Sequence, residues 1–247
     1  MESQPLPHLL QDISNYNRTN MQKQGPEKLF KYMKREHIDK FFADGTLRIG
    51  TLYEYRNVEL HGPAVGDLDE GKDTKTLTSH QEETFDIRSN DPRAVFARQV
   101  IKGWDEFPEG TKLIIKMEPT SRLELYGSSP DVYTYCTSLE HSIELMKELG
   151  YESCLVIKNP YMFFQEINTQ LKTISHRMFG APIIYNSRTQ PFDEPIKAHP
   201  AFIKPHEYSY QTEFRCVWEP NSGEPITPLF INCPSAKEFC ERQDLKI

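Results

Sequence analysis

The chain has 247 residues, of which 37% are hydrophobic, and this supply suits one folded domain with a sizeable core. The formal net charge of −7 excludes a protein that coats nucleic acid through its overall charge, while a local cationic patch stays compatible with it. No apolar run approaches the roughly 20 residues that cross a bilayer, and residues 1–7 lack the order of a signal peptide. We therefore expect a cytoplasmic protein with no membrane contact.

The N-terminal segment, residues 1–26, is polar and rich in Asn and Gln, which predicts a loosely ordered arm with one short helix near residues 9–13. Residues 27–247 are predicted to form a single α+β domain. Strands and helices alternate irregularly in it, which favours a mixed or largely antiparallel sheet system with helices at its sides over a strict βαβ order.

The domain is predicted to open with a strand at 29–33, a helix at 35–44 that Gly45 ends, and a second strand at 46–52. Three apolar side chains of this helix share one face: Ile38, Phe41 and Phe42. Further strands are predicted at 112–117, 123–126, 132–136, 154–158, 182–185, 201–203, 208–219 and 226–231. Further helices are predicted at 94–102, 139–149 and 160–174, the last with Asn159 as N-cap, and from Ser235 onward.

Five cysteines, an odd number, lie far apart and mostly among apolar residues, without a CxxC pair or a cluster with histidine. They are Cys136, Cys154, Cys216, Cys233 and Cys240. We interpret them as reduced, buried thiols. No metal site is expected, because a structural zinc ion needs about four ligands in close pairs.

Residues 61–80 carry many glycines and carboxylates and few apolar side chains, which is typical of a solvated loop. Gly66, Gly71 and Lys72 imitate a phosphate-binding loop, but carboxylates stand between the glycines, and Asp73 replaces the Ser or Thr that would hold Mg²⁺. The order of acidic residues that defines a calcium loop is also missing. We predict an exposed, mobile loop, either functional or a tolerated surface insertion.

The opening segment places cationic and aromatic residues on two neighbouring predicted strands. Lys31 and Tyr32 belong to the first strand, and Tyr53 and Tyr55 follow the second. Side chains of these types at one end of a sheet can stack on a flat charged ligand and clamp it. The alternative is that the tyrosines pack across strands and that Lys31 lies on a solvated edge.

The long predicted strand at 208–219 has an unusual polar face, which carries Gln211, Glu213 and Arg215, while aromatic and apolar residues alternate on the other face. A carboxylate in this position predicts a catalytic role for Glu213. The alternative is an exposed edge strand on which Glu213 and Arg215 form a charge pair.

In these segments the sequence resembles the ADP-ribosyltransferase superfamily, whose small toxins open with a strand, a helix and a strand and end with a strand that carries a catalytic Glu. It also resembles a broad group of uncharacterised bacterial proteins, some linked to phage defence. That second resemblance rests on LFKY at 29–32, YCTS at 135–138 and the Q-x-E-x-R pattern at 211–215.

The transferase resemblance implies NAD as the cofactor and a macromolecule, protein or nucleic acid, as the target. It implies that Lys31 or Tyr32 contacts the adenosine half and that Tyr53 or Tyr55 stacks on the nicotinamide. Glu213 would bind the nicotinamide ribose and oppose the positive charge that develops as the glycosidic bond breaks. Lys31 stands where the family has an Arg or His, and Lys lacks the planar fork of Arg.

The sequence thus favours an ADP-ribosyltransferase-like enzyme that uses NAD to modify a macromolecule, of the toxin or phage-defence effector kind. Two alternatives stay open. One is a non-enzymatic binding or sensor protein of a defence or anti-defence system, with a partner protein from the same operon. The other is a nuclease or other hydrolase whose residues converge from distant parts of the chain.

Overall fold

A computed structural model of the chain describes residues 25–62, 64–195 and 198–244, so the short helix predicted near residues 9–13 lies outside the described residues. The helices are α1 (Arg35–Asp44), α2 (Val58–His61), α3 (Pro92–Val100), α4 (Ile143–Glu148) and α5 (Pro160–Leu171). Shorter 3₁₀ helices are formed by Tyr53–Arg56, Pro200–Phe202, His206–Gln211 and Pro234–Phe239. None of the helices in the described ranges is long and apolar enough to cross a membrane.

The strands pair mostly antiparallel and helices surround them, which confirms the predicted α+β fold. The first eight are β1 (Leu29–Met33), β2 (Thr46–Thr51), β3 (Lys72–Thr78), β4 (Glu83–Asp86), β5 (Ile114–Met117), β6 (Arg122–Ser128), β7 (Tyr133–Ser138) and β8 (Ser153–Ile157). The others are β9 (Ser175–Pro182), β10 (Ile184–Tyr185), β11 (Thr189–Pro191), β12 (Ile203–Lys204), β13 (Glu213–Pro220), β14 (Leu229–Asn232) and β15 (Cys240–Asp244).

The largest sheet has the order β14-β2-β7-β1-β8-β15, and β13 and β9 continue it from the second edge of β7. On that second edge, β13 pairs with β7 along its whole length, from Ser138 to Tyr133. The first edge of β7 is shared, because β1 pairs with it at Ser138 and β2 at Thr134 and Tyr133. The sheet is therefore split between β1 and β2.

The opening strand, helix and strand form as predicted, since their apolar residues follow the periods of the two structures. Ile38 and Phe41 of α1 are fully buried against the sheet. Gly45 ends α1 with φ +84°, and a side chain there would meet the backbone of Pro234, so glycine is required for two reasons. The predicted cap of α5 is also confirmed, because the Asn159 side chain accepts a hydrogen bond from the Met162 amide.

Other predicted elements were wrong in part. Residues 206–211 form a 3₁₀ helix instead of the first half of a strand, because Thr212 has a left-handed backbone (φ +43°) that an extended strand cannot contain. The chain also forms strands where none was predicted: β3, β4, β9, β11 and β15. β15 replaces a predicted helix, and its largely exposed polar residues gave no alternation to detect.

Candidate functional site

A cavity of about 470 Å³ opens where the sheet is split between β1 and β2. The register leaves residues 135–137 of β7 without a strand partner on this edge among the described strands. Side chains from both faces of β7 line the cavity, including Tyr135 and Cys136. Its volume lies within the roughly 300–1,000 Å³ that is typical of small-molecule sites.

The cavity lining is strongly cationic. It includes six Lys and Arg residues, Lys31, Lys34, Lys40, Arg48, Lys204 and Arg215, and one carboxylate, that of Glu213. Arg48, Lys204 and Arg215 contact carboxylates. Lys31, Lys34 and Lys40 have no ion-pair partner in the described ranges and give the cavity a positive potential, although the whole chain is acidic. The arrangement attracts an anionic ligand.

Lys31 extends into the cavity, and its ammonium nitrogen lies 5.0 Å from the centre of the Tyr135 ring. Within the described ranges, its ammonium group has no hydrogen-bond or ion-pair partner. Burial lowers the pKa of Lys31, and the negative charges of Glu213 and Glu54 oppose that change only in part. Lys31 is therefore a positive charge without a counter-charge in contact, as in a site that binds an anion.

Glu213 lies at the start of β13, opposite Ser138 of β7, and is 5% exposed. One carboxylate oxygen accepts a hydrogen bond from Lys204 Nζ at 2.6 Å, and the other accepts one from Arg215 Nε at 2.8 Å. Burial alone would raise the pKa of Glu213, but the charges of Arg215 and Lys204 lower it well below its ordinary range. The carboxylate is therefore ionised at neutral pH.

The alternative of an exposed charge pair on an edge strand was wrong. The pair of Glu213 and Arg215 exists, but Arg215 is 1% exposed, and β13 lies between β7 and β9. Arg215 also donates to the carboxylate of Glu70, at 2.8 Å and 3.3 Å. Both carboxylates keep the pKa of Arg215 well above its ordinary value, against the effect of burial.

The prediction of an exposed acidic loop at 61–80 was wrong for its central residues. Asp67 is 6% exposed and Glu70 is completely buried. Arg188 donates to both oxygens of Asp67, at 3.0 Å and 2.6 Å, while Asp69 points outward with a largely exposed side chain. Ion pairs with Arg188 and Arg215 thus hold Asp67 and Glu70 in the protein interior. We refer to Asp67, Glu70, Arg188, Lys204, Glu213 and Arg215 as the ion network.

Backbone geometry beside Glu213 is strained. Thr212 is β-branched and has φ +43°, a conformation that few residues other than glycine adopt. It is held by Ser138, whose hydroxyl oxygen lies 2.8 Å from the Thr212 hydroxyl oxygen. The Thr212 carbonyl accepts a hydrogen bond from the Leu139 amide. This turn brings Gln211, which accepts a hydrogen bond from Lys204, next to Glu213.

Three of the four predicted cofactor-binding residues line the cavity together with Glu213: Lys31, Tyr32 and Tyr55. Tyr53 is not among the lining residues. Its hydroxyl donates to the Ser129 carbonyl, and Arg56 stacks on its ring at 3.6 Å, so it packs away from the site. The Tyr32 hydroxyl donates to the Glu140 carbonyl and accepts from the Ser142 amide, which leaves mainly its ring for a ligand. Burial raises the pKa of Tyr55 well above its ordinary value.

Two buried polar atoms of residues that line the cavity have no hydrogen-bond partner among the described residues. They are Thr134 Oγ1 and His61 Nε2. Burial lowers the pKa of His61, which keeps its ring neutral at pH 7. His61 Nε2 lies 3.6 Å from a carboxylate oxygen of Glu54. Buried polar atoms normally find partners, so Thr134 Oγ1 is suited to contact a hydroxyl group or a ring nitrogen of a ligand.

Sequence reasoning missed Lys204, Glu70 and Arg48 as parts of this site. Arg48 donates to both oxygens of Glu54, at 2.9 Å and 3.0 Å, beside His61. Lys204 directly follows a short apolar run at 201–203. A lysine at the end of such a run could have been recognised in the sequence as a candidate buried cation. Glu70 gave no signal, because its partner Arg215 lies 145 residues away in the chain.

The described ranges contain no group of three His, Cys, Asp or Glu side chains placed to hold a metal ion. The five thiols are free, and Cys136 is the least buried of them. Burial raises the pKa of Cys136 to about 11, so its thiol is protonated and a poor nucleophile at neutral pH.

No known protein family matches this sequence, no curated protein is similar to it, and no solved structure matches its fold. The resemblance to ADP-ribosyltransferases is therefore still a prediction. Any function for the cavity follows from its geometry and charge.

Proposed function

We propose that this protein binds a phosphorylated nucleotide in the cavity between β1 and β2, and that NAD is this ligand. One observation carries the proposal: Lys31 extends an ammonium group into the cavity, beside the ring of Tyr135. Lys31 has no ion-pair partner in the described part of the chain, so its ammonium group is available for a phosphate oxygen.

The remaining wall suits the other parts of such a ligand. The half-buried ring of Tyr55 is an apolar surface on which a base or a nicotinamide ring can stack. Thr134 contributes a buried hydroxyl group, without a partner in the described ranges, that a ribose hydroxyl can satisfy. The residues present therefore fit a nucleotide better than a purely apolar compound or a bare inorganic anion.

Glu213 extends the proposal from binding to transfer of ADP-ribose. NAD would supply a glycosidic bond whose cleavage releases nicotinamide. Glu213 is ionised and lines the same cavity, so it can oppose the positive charge that develops on the ribose. Each of its oxygens accepts one hydrogen bond from a cation and keeps a lone pair for a ribose hydroxyl.

A second candidate function is that of a sensor that binds the nucleotide without cleaving it. Its supporting observation is that both oxygens of Glu213 already contact a cation. Lys204 and Arg215 reduce the net negative charge that Glu213 can offer to a ligand. Nucleotide binding is common to both candidates, and only the release of nicotinamide separates them.

Isothermal titration calorimetry of NAD with the full chain tests the binding. Wild-type protein should bind NAD, and Lys31→Gln should bind it about tenfold or more weakly, because a charge-assisted hydrogen bond is worth roughly 1.5 to 3 kcal/mol. Lys116→Gln is the matched control, since Lys116 is an exposed lysine on β5 outside the cavity. No binding by wild type at millimolar NAD, or equal binding by both variants, contradicts the proposal.

Nicotinamide release, measured with and without cell extract, separates enzyme from sensor. Glu213→Gln alone is a poor test, because it leaves Lys204 buried without its counter-charge. The double variant Lys204→Gln/Glu213→Gln removes a neutral pair and leaves Arg215 bound to Glu70. If Glu213 is catalytic, the double variant stays inactive although its fold recovers. Release restored in the double variant would assign Glu213 a structural role, and no release by wild type would favour the sensor.

A further inference from the structure

The entrance of the cavity carries exposed basic and apolar side chains that a ligand in its interior would not contact. We define the mouth as the exposed lining residues Lys34, His37, Lys40, Arg48, Leu60 and Phe230. Lys34 and Lys40 have no ion-pair partner within the described ranges. They are also too exposed to be needed for a ligand that lies deep in the cavity.

Basic side chains are grouped at the start of α1. Lys34 is the N-cap residue immediately before α1, His37 and Lys40 lie three residues apart on one face of the helix, and all three line the cavity. The acidic Asp39 points elsewhere, because it pairs with Arg242 of β15. Glu36 is the carboxylate next to this face, at 3.8 Å from His37, and it is exposed to solvent.

The mouth also exposes two large apolar side chains. Phe230 is 66% exposed and Leu60 is 69% exposed, and both line the entrance. Phe230 on the edge strand β14 is the cross-strand neighbour of Arg48 on β2, so an aromatic ring and a guanidinium lie side by side. The exposed ring therefore offers a face on which a flat partner can stack.

We propose that the mouth binds single-stranded nucleic acid, with phosphates on Lys34 and Lys40 and a base stacked on Phe230. Cations that follow a phosphate backbone, together with an exposed ring that stacks a base, are the two parts of single-strand recognition. An acidic peptide would use the cations but has no need of the ring. A duplex keeps its bases stacked inside, whereas a single strand can also direct one nucleotide into the cavity.

This inference names the acceptor of the proposed transfer reaction and rests on the proposed function for that reaction only. Binding of the strand is independent of NAD and is measured in its absence. Fluorescence anisotropy with a labelled single-stranded oligonucleotide of mixed sequence should show saturable binding by the full chain. The affinity should fall linearly with the logarithm of salt concentration.

Two variants with matched controls test the residues. Lys34→Gln/Lys40→Gln should flatten the salt dependence by about 1.4 in slope, since each contact to a single strand contributes roughly 0.7. Phe230→Ala should weaken binding about 5- to 150-fold, the range for loss of one stacked base. The controls are Lys116→Gln and Tyr126→Ala, because Lys116 and Tyr126 are exposed and lie outside the cavity lining.

Absence of binding by the wild type would overturn the inference, as would equal affinities of Phe230→Ala and Tyr126→Ala. Displacement of the strand by polyglutamate at the same charge concentration would identify an acidic protein as the partner instead. Equal binding of a duplex would also contradict it. If the protein binds NAD but not the strand, the hypothesis of a nucleic-acid acceptor is rejected and the proposed function stands. If it binds the strand but not NAD, the proposed function is rejected and the nucleic-acid site stands.

Discussion

The charged side chains of the ion network and the lysines of the mouth differ in whether they have partners. In the network every cation contacts a carboxylate, and the residues are almost completely buried. At the mouth, Lys34 and Lys40 lack such partners in the described ranges and are exposed. Charges that satisfy one another stabilise the fold, whereas charges without partners are available to a ligand. We therefore propose that ligands contact Lys31 and the mouth, and that the ion network holds Glu213 in position.

The largest expected effect separates the two regions directly. Arg215→Met removes the cation that both Glu70 and Glu213 contact, and it should lower the free energy of unfolding by about 3–5 kcal/mol, because two buried carboxylates lose their partner. Lys34→Gln/Lys40→Gln should change it by less than about 0.5 kcal/mol. Urea denaturation measures both. A double variant Arg215→Met/Glu70→Gln that is no more stable than Arg215→Met would argue against coupling within the network.

The acidic loop provides a smaller contrast within a single segment. Asp67→Asn should cost about 1.5–3 kcal/mol, the usual value of hydrogen bonds to a charged group, whereas Asp69→Asn should cost less than about 0.5 kcal/mol. Arg188 lowers the pKa of Asp67 against the effect of burial. The stability that Asp67 contributes is therefore present above its ordinary pKa of 3.8 and is lost as the pH falls through its lowered value.

Measuring unfolding at several pH values checks this sign. The difference between wild type and Asp67→Asn should be constant near neutral pH and should shrink only at acidic pH. Equal stabilities of Asp67→Asn and Asp69→Asn at pH 7 would mean that the loop is held by its backbone contacts alone. One such contact is the Gly66 carbonyl, which accepts a hydrogen bond from the Tyr208 hydroxyl.

The contrast also explains which parts of the molecule the sequence could predict. The segment from Leu29 to Thr51 was predicted correctly, because its core residues recur with the local periods of strand and helix. Glu213, Lys31, Tyr32 and Tyr55 were found for a related reason, since each follows from the local pattern of one strand or its end. They meet in one cavity because β7 joins the strands.

The ion network was not predictable by the same means. Asp67 and Glu70 join it through contacts with Arg188 and Arg215, which lie more than 100 residues away in the chain, and a run of carboxylates is usually solvated. The strand predicted at 208–219 began too early, because the alternation of side chains continues through Thr212. The left-handed backbone of Thr212 depends on contacts in the folded chain, such as that with Ser138. Tyr53 has the sequence position expected of a stacking residue, but in the folded chain the guanidinium of Arg56 stacks on its ring.

A pH titration of ligand affinity sharpens the role of Lys31. Burial lowers its pKa from the ordinary value of 10.5, so NAD binding should weaken as the pH rises, at a lower pH than for an ordinary lysine. Two other groups in the cavity could become negative at alkaline pH. Burial raises the pKa of Cys136 to about 11 and also raises the pKa of Tyr55, so neither group becomes charged at a lower pH than Lys31 loses its proton. Lys31→Arg should keep its affinity over the same range, because a guanidinium stays protonated. An identical alkaline loss in Lys31→Arg would assign the effect to another group.

The smallest expected effect concerns Thr212, which links Gln211 and Glu213 in the wall of the cavity. Its φ of +43° stores roughly 1–3 kcal/mol of strain in a β-branched residue. Thr212→Gly relieves that strain but loses the hydrogen bond with Ser138 and adds about 0.5–1 kcal/mol of backbone entropy to the unfolded chain, so its stability should stay within about 1 kcal/mol of wild type. Thr212→Ala loses the same hydrogen bond and keeps much of the strain, and it should be the less stable of the two. Urea denaturation of both variants decides the point: if Thr212→Ala is at least as stable as Thr212→Gly, the left-handed turn carries no strain, and Glu213 is positioned by the ion network alone.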